Sequence, residues 1–267
     1  MDWACVSVLL GGALRIDSLT FALKSRGILM GYFANGLVFT EQPDFEAASE
    51  VVPGRLARGY KHKKHPVWLL DLWKPRGKLH PFCNPAAEGF RTDLSLVDGS
   101  TRAFLTALEA LQRAIGFRNP SPEVSDVHLA LAVAGATRCP AFFFAADDEE
   151  TDMGCNAVSG SLVSFGCRLA RLSVQYANGQ TAVTPQNYLE EEDDERLQEA
   201  IAKSKSVPGL SVLEPRGIEN GQLLYENPVG QWPKAAGNPA EILGLGTWDP
   251  LLNLEKDFTV VFKKLST

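Results

Sequence analysis

The residues best equipped for chemistry crowd into one stretch. Between positions 61 and 83, KHKKHPVWLLDLWKPRGKLHPFC holds three of the four histidines and one of the five cysteines. His62 and His65 form one pair with two residues between them, and His80 and Cys83 form another. Fourteen residues separate the pairs, so a hairpin could bring four zinc-ligand types together in a tetrahedral cage. Against that stand Lys61, Lys63, Lys64 and Lys78, which repel a cation, and a ligand set with a single thiolate, which is uncommon in structural sites. His80 and Cys83 also suit a base and a nucleophile, with the positive surroundings lowering the thiol pKa. The plainest alternative is a solvent-exposed basic loop. His128, within the apolar run VHLALAVAG, is expected to be a satisfied histidine near the core.

Acidic residues form two clusters. Asp147, Asp148, Glu149, Glu150 and Asp152 follow the run AFFFAA, where carboxylates at a strand end could hold a divalent cation. Glu190, Glu191, Glu192, Asp193, Asp194 and Glu195 are six consecutive acids near the start of an expected helix. They favour the helix dipole and offer a partner-binding surface that would steer a basic protein. There is no GxGxxG, GxxxxGK, GxSxG, HExxH or CxxC motif to specify a cofactor or a reaction, so the cofactor is unknown.

The charge is unevenly laid out. Residues 55–78 carry eight basic groups against Asp71 alone, a local +7; with a net charge of −6 the remainder carries −13. The acidic bulk argues against a nucleic-acid binder, although Tyr60, Trp68 and Trp73 lie among the cations. The scattered cysteines, Cys5, Cys83, Cys139, Cys155 and Cys167, suggest free thiols in a reducing cytoplasm. No uncharged apolar run of membrane-spanning length occurs, so no membrane association is expected.

The elements that must position these groups are mixed. WACVSVLL reads as an opening strand, residues 14–24 permit a helix, and Asn35-Gly36 predicts a hairpin over 28–40. VWLLDLW is strand-like, with Trp68 and Trp73 in opposite phases. STRAFLTALEALQRAIGF has the apolar spacing of a helix, capped by Ser100 or Thr101. VHLALAVAG and AFFFAA read as buried strands. The alternation in SLVSFGCRLARLSVQYANG, with Leu169, Leu172, Val174 and Tyr176 at its apolar positions, predicts a half-solvated sheet. A second helix is expected over TPQNYLEEEDDERLQEAIAKSKS, with Thr184 as N-cap and Pro185 at N1. A strand QLLYE and a last strand FTVVFKK follow within and after a Pro- and Gly-rich stretch.

These readings combine into an α+β fold: a predominantly antiparallel sheet, two or three packed helices and a loop-rich C-terminal part. With 267 residues, 45 % of them hydrophobic, one compact domain is expected, with NPSP marking a subdomain boundary near 117–124. The function expected is an acidic protein-binding module of inhibitor or neutralising type, with a protein partner, basic in character. The alternative is a small-molecule hydrolase or transferase that uses His80 and Cys83, or a carboxylate-bound metal near 147–152.

Overall fold

The computed structural model describes residues 33–52, 56–73, 89–117, 122–147, 151–169, 171–177, 179–185, 195–212 and 257–264. All belong to one of two compact units, Phe33–Thr267; the other, Met1–Tyr32, lies outside the described residues. The expected strand WACVSVLL, the helix over 14–24 and the strand QLLYE therefore lie outside them as well.

The α+β expectation holds. Ten strands form one sheet: β1 (Phe33–Phe39), β2 (Leu56–His62), β3 (Trp68–Trp73), β4 (Ala141–Asp147), β5 (Thr151–Val158), β6 (Ser161–Leu169), β7 (Leu172–Ala177), β8 (Gln180–Pro185), β9 (Ser211–Val212) and β10 (Phe258–Lys264). Their order is β10-β2-β3-β1-β4-β5-β6-β7-β8-β9, with every pair antiparallel except β8 with β9. The described helices are α1 (Phe45–Glu50), α2 (Gly99–Ala114), α3 (Pro122–Thr137) and α4 (Glu195–Lys205).

Side chains alternate between the two faces of a strand, and residues opposite each other across an antiparallel ladder share a face. One face carries Leu37, Phe39, Leu70, Leu72, Phe143, Cys155, Phe165, Cys167, Val174 and Val183. All of these belong to a single apolar cluster with Phe104, Leu108 and Leu111 of α2 and Val127, Leu131 and Ala134 of α3. Phe104 seats α2 on the sheet, its ring centroid 5.2 Å from Phe165 and 4.7 Å from Tyr176. Phe45 of α1 stacks on Phe262 of β10, and Lys264 pairs with Glu46 and Glu50.

α2 starts two or three residues earlier than its serine and threonine suggest. Asp98 is the N-cap, accepting the Thr101 backbone N–H at 2.9 Å and the Thr101 hydroxyl at 2.7 Å. Desolvation pulls the Asp98 carboxyl upward, but hydrogen bonds from Thr101, Ser161 and Ser100 outweigh it and hold the pKa at about 2. The buried Thr101 hydroxyl also accepts the Leu162 N–H at 2.8 Å. That N–H lies where the register of β6 shifts: Asn156 faces Ser164, whereas Ala157 faces Leu162, leaving Val163 as the extra residue of a bulge. One hydroxyl thus joins the helix cap to the bulge that returns Leu162 to the apolar face.

Three expectations are corrected. VHLALAVAG is part of helix α3, not a strand. Its apolar residues satisfy both periods, and it lies buried on nearly every side, so neither spacing nor amphipathicity separates the two readings. Asn35-Gly36 is mid-strand in β1, paired with Ala145-Phe144; the dipeptide permits a tight turn without demanding one. Thr184 and Pro185 end β8 instead of capping α4. Pro185 is tolerated there because β9 pairs only with Ala182 and Val183, so no outer strand needs its missing N–H. NPSP leads into α3, which packs against the same sheet as α2.

Thr101→Val keeps shape but removes both hydrogen bonds. It is expected to cost about 1–3 kcal/mol in urea denaturation, against less than about 0.5 for the exposed Thr106→Ala on the same helix. Equal effects would contradict the role given to Thr101.

Candidate functional site

The histidine stretch begins on a tight hairpin. His62 ends β2 and is buried, and its Nδ1 accepts the backbone N–H groups of Lys64 and His65, each at 3.1 Å. The His62 N–H donates to the Val67 carbonyl at 2.8 Å, closing the loop from 63 to 66. Its ring lies 4.8 Å from that of His65 and meets Phe258 edge-on at 4.8 Å. Burial lowers the pKa of His62, helped by His65 and Lys64 and opposed by Asp257. A neutral ring with Nδ1 committed to the loop leaves only Nε2 for a metal. His80 and Cys83, the other half of the expected cage and the whole of the expected catalytic pair, lie outside the described residues. Among the described residues no three metal-ligating side chains gather.

The acidic clusters divide similarly. Residues 148–150 and 190–194 lie outside the described residues, while Asp147 closes β4, Asp152 falls in β5 and Glu195 opens α4, exposed. His128 is buried as expected, although on a helix. Its Nδ1 accepts the Thr92 N–H at 3.1 Å, and burial with nearby Arg91 pushes its pKa down to about 4. The Cys155 thiol is fully buried beside Asp126 and raised above its ordinary value, which makes it inert. Cys139, Cys155 and Cys167 form no disulfide.

A second arrangement emerges only in three dimensions. On the sheet face away from the apolar cluster, Arg58 stands opposite Asp71, and Asn156 opposite Ser164. Arg168, Ser173 and Thr184 form one cross-strand row; Gly154, Gly166, Gln175 and Ala182 form the next. The alternation in β6 and β7 predicts that these polar residues meet solvent, and they do not. Asn156, Ser164, Ser173 and Gln175 are each at most 6 % exposed. Ser164 Oγ, Ser173 Oγ, Gln175 Oε1 and both Asp71 oxygens have no hydrogen-bond partner. Apolar residues of this face, Val38, Leu69 and Phe142, are also buried yet stand apart from the helix-packed cluster. The signal was present in the sequence as the alternation itself, but alternation does not say whether the polar side is wet.

Asp71 carries the strongest electrostatic consequence. Only 2 % exposed, its carboxyl is pushed up to about 9 by desolvation, with Arg58 pulling it only partly back. It is neutral at pH 7. From about pH 4 to about pH 9 the folded carboxyl holds a proton that the unfolded chain has lost. This group's contribution to stability therefore falls as pH rises, by roughly 1.4 kcal/mol per unit. Asp71→Asn is expected to remove that slope, so its stability relative to wild type rises between about pH 5 and about pH 8 in urea denaturation. Parallel pH profiles for the two proteins would contradict a buried, protonated Asp71.

No protein-family model matches the chain, and neither the curated proteins nor the solved structures yield a match, so both arrangements rest on their own residues.

Proposed function

We propose that the chain is a non-catalytic protein-binding module of inhibitor type, and that its partner adds an extended acidic segment to the β10 edge of the sheet. The observation that carries this reading is a strand that ends the sheet among the described residues, with an apolar and cationic border. β10 stands at the end of the strand order, yet Val260 and Val261 are 53 % and 50 % exposed. Lys61, Lys63 and Lys64 on the adjoining hairpin and Lys263 on β10 itself are exposed, with half-buried Asp257 as the acid at that end. Lys61 lies 5.7 Å from the Trp68 ring centroid, which steadies one of these cations over the sheet.

Main-chain hydrogen bonds along an edge strand provide affinity, and flanking charges choose the partner. The register shift between Val260 and Phe262 twists β10 locally, which disfavours indiscriminate edge pairing and suits a chosen segment. This reading adds the β10 edge as a partner surface and an acidic segment as its occupant; Glu190–Asp194 lie outside the described residues, and the surface expected there stands as the sequence left it. Cys139, Cys155 and Cys167, none of them in a disulfide, agree with a reducing compartment such as the cytoplasm. No helix among the described residues is long and apolar enough to cross a membrane.

The test is fluorescence anisotropy with a labelled peptide of alternating valine and glutamate. Reversing Lys61, Lys63 and Lys64 to glutamate should weaken binding about tenfold or more, with the fold intact by circular dichroism. Unchanged affinity would overturn the reading. Equal affinity for a mixed-sequence oligonucleotide would also overturn it, as would an edge already occupied by a second copy in sedimentation.

A further inference from the structure

Resting on the edge-pairing reading above, we infer that the bulge in β10 sets the register of the acidic segment, which pairs along Phe258–Val260 and cannot continue past Val261. Two hydrogen bonds give the direction of the backbone groups. The Lys63 N–H donates to the Asp257 carbonyl at 2.8 Å, and the His62 N–H donates to the Val67 carbonyl at 2.8 Å. Lys63 is therefore turned toward β10, and His62 toward β3. Backbone groups alternate sides along an antiparallel ladder, so Lys61, Gly59 and Ala57 also turn toward β10. Their partners Thr259, Phe262 and Lys264 turn inward to meet them.

The outward groups are then those of Phe258, Val260 and Lys263. Phe258 and Val260 stand two residues apart, the spacing of a regular strand. Val260 and Lys263 stand three apart, because Val261 is the extra residue of the register shift. A straight incoming strand offers a matching group at every second residue. It can meet Phe258 and Val260, or Lys263, but not both in one register. The first half adjoins Lys61, Lys63 and Lys64, while in the second half Lys264 is already paired with Glu46 and Glu50. Glutamates in the segment therefore select Phe258–Val260.

The bulge is held from the helix side. Two residues on from Thr259, a regular strand would put Val261 opposite Gly59; the shift puts Phe262 there instead. The Phe262 ring stacks on Phe45 of α1, with centroids 5.7 Å apart and planes 15° from parallel. Phe45 in turn lies over Gly59, where a Cβ would come within 2.7 Å of its ring. Glycine leaves room for that ring on β2, and an aromatic residue at 262 completes the stack. Phe45, Gly59 and Phe262 are thus positioning residues, which act through the bulge on the part of the edge a partner can read.

The experiment is a length series in the same anisotropy measurement. A valine–glutamate peptide of about five residues is lengthened to about nine with valine and threonine at both ends, so its charge stays constant. Wild type is expected to bind the two within about twofold of each other. Deletion of Val261 restores even spacing and should make the long peptide bind about tenfold or more tighter than the short one. Lys263→Glu should leave the short peptide's affinity within about twofold, against the tenfold loss on reversing the hairpin lysines. A steady gain with length in wild type, or a loss with Lys263→Glu as large as that at the hairpin, would overturn the register while leaving edge pairing intact. So would the absence of a gain in a deletion variant that is folded by circular dichroism. No binding by either peptide would overturn edge pairing itself, and the register with it.

Discussion

The structure depends on a sheet whose two faces are both withdrawn from water but differ in chemistry. One is apolar and fused to the helices through Phe104, Phe165, Leu131 and their neighbours. The other holds Asp71, Asn156, Ser164, Ser173 and Gln175 at low exposure. Burying an unpartnered hydroxyl or amide costs about 1–3 kcal/mol, comparable with the gain from a well-buried aliphatic side chain. The apolar face and the backbone ladders must therefore carry the fold against its own second face. Thr101 shows how closely the first face is built: a single buried hydroxyl closes the α2 cap and takes up the N–H exposed by the β6 bulge.

The partner surface proposed above lies on the sheet. Helices α1 to α4 contribute side chains to the apolar face, and α1 reaches β10 through Phe45 stacked on Phe262. At the edge, exposed valines and lysines offer backbone pairing and long-range steering to an extended chain. Asp71, on the second face, is a carboxyl made neutral by its surroundings, and it links the stability of that face to pH.

Much of the scaffold was legible from spacing alone. VWLLDLW and FTVVFKK are strands, short runs rich in β-branched and aromatic residues, and the Phe104-Leu108-Leu111 stripe marks a helix by its spacing. VHLALAVAG fits both, and only the burial of α3 on nearly every side decides for a helix. Asn35-Gly36 and Thr184-Pro185 have strong local meanings that sheet pairing overrides. The candidate sites were less legible. His62 is identifiable as a special residue, but the committed Nδ1 depends on the loop it closes. Ser173 and Gln175 looked like an ordinary solvent side. Alternation records which residues share a face and says nothing of what lies beyond it. His80, Cys83 and most of both acidic clusters lie outside the described residues, so their roles stand as the sequence left them.

The most direct test of a dehydrated polar face is a pH titration of the Asp71 carboxyl carbon by ¹³C NMR, assigned by comparison with Asp71→Asn. The account predicts a midpoint near 9, with the neutral acid as the dominant form at pH 7. A midpoint near the ordinary aspartate value of 3.8 would contradict it, since the carboxyl would then be solvated or fully paired.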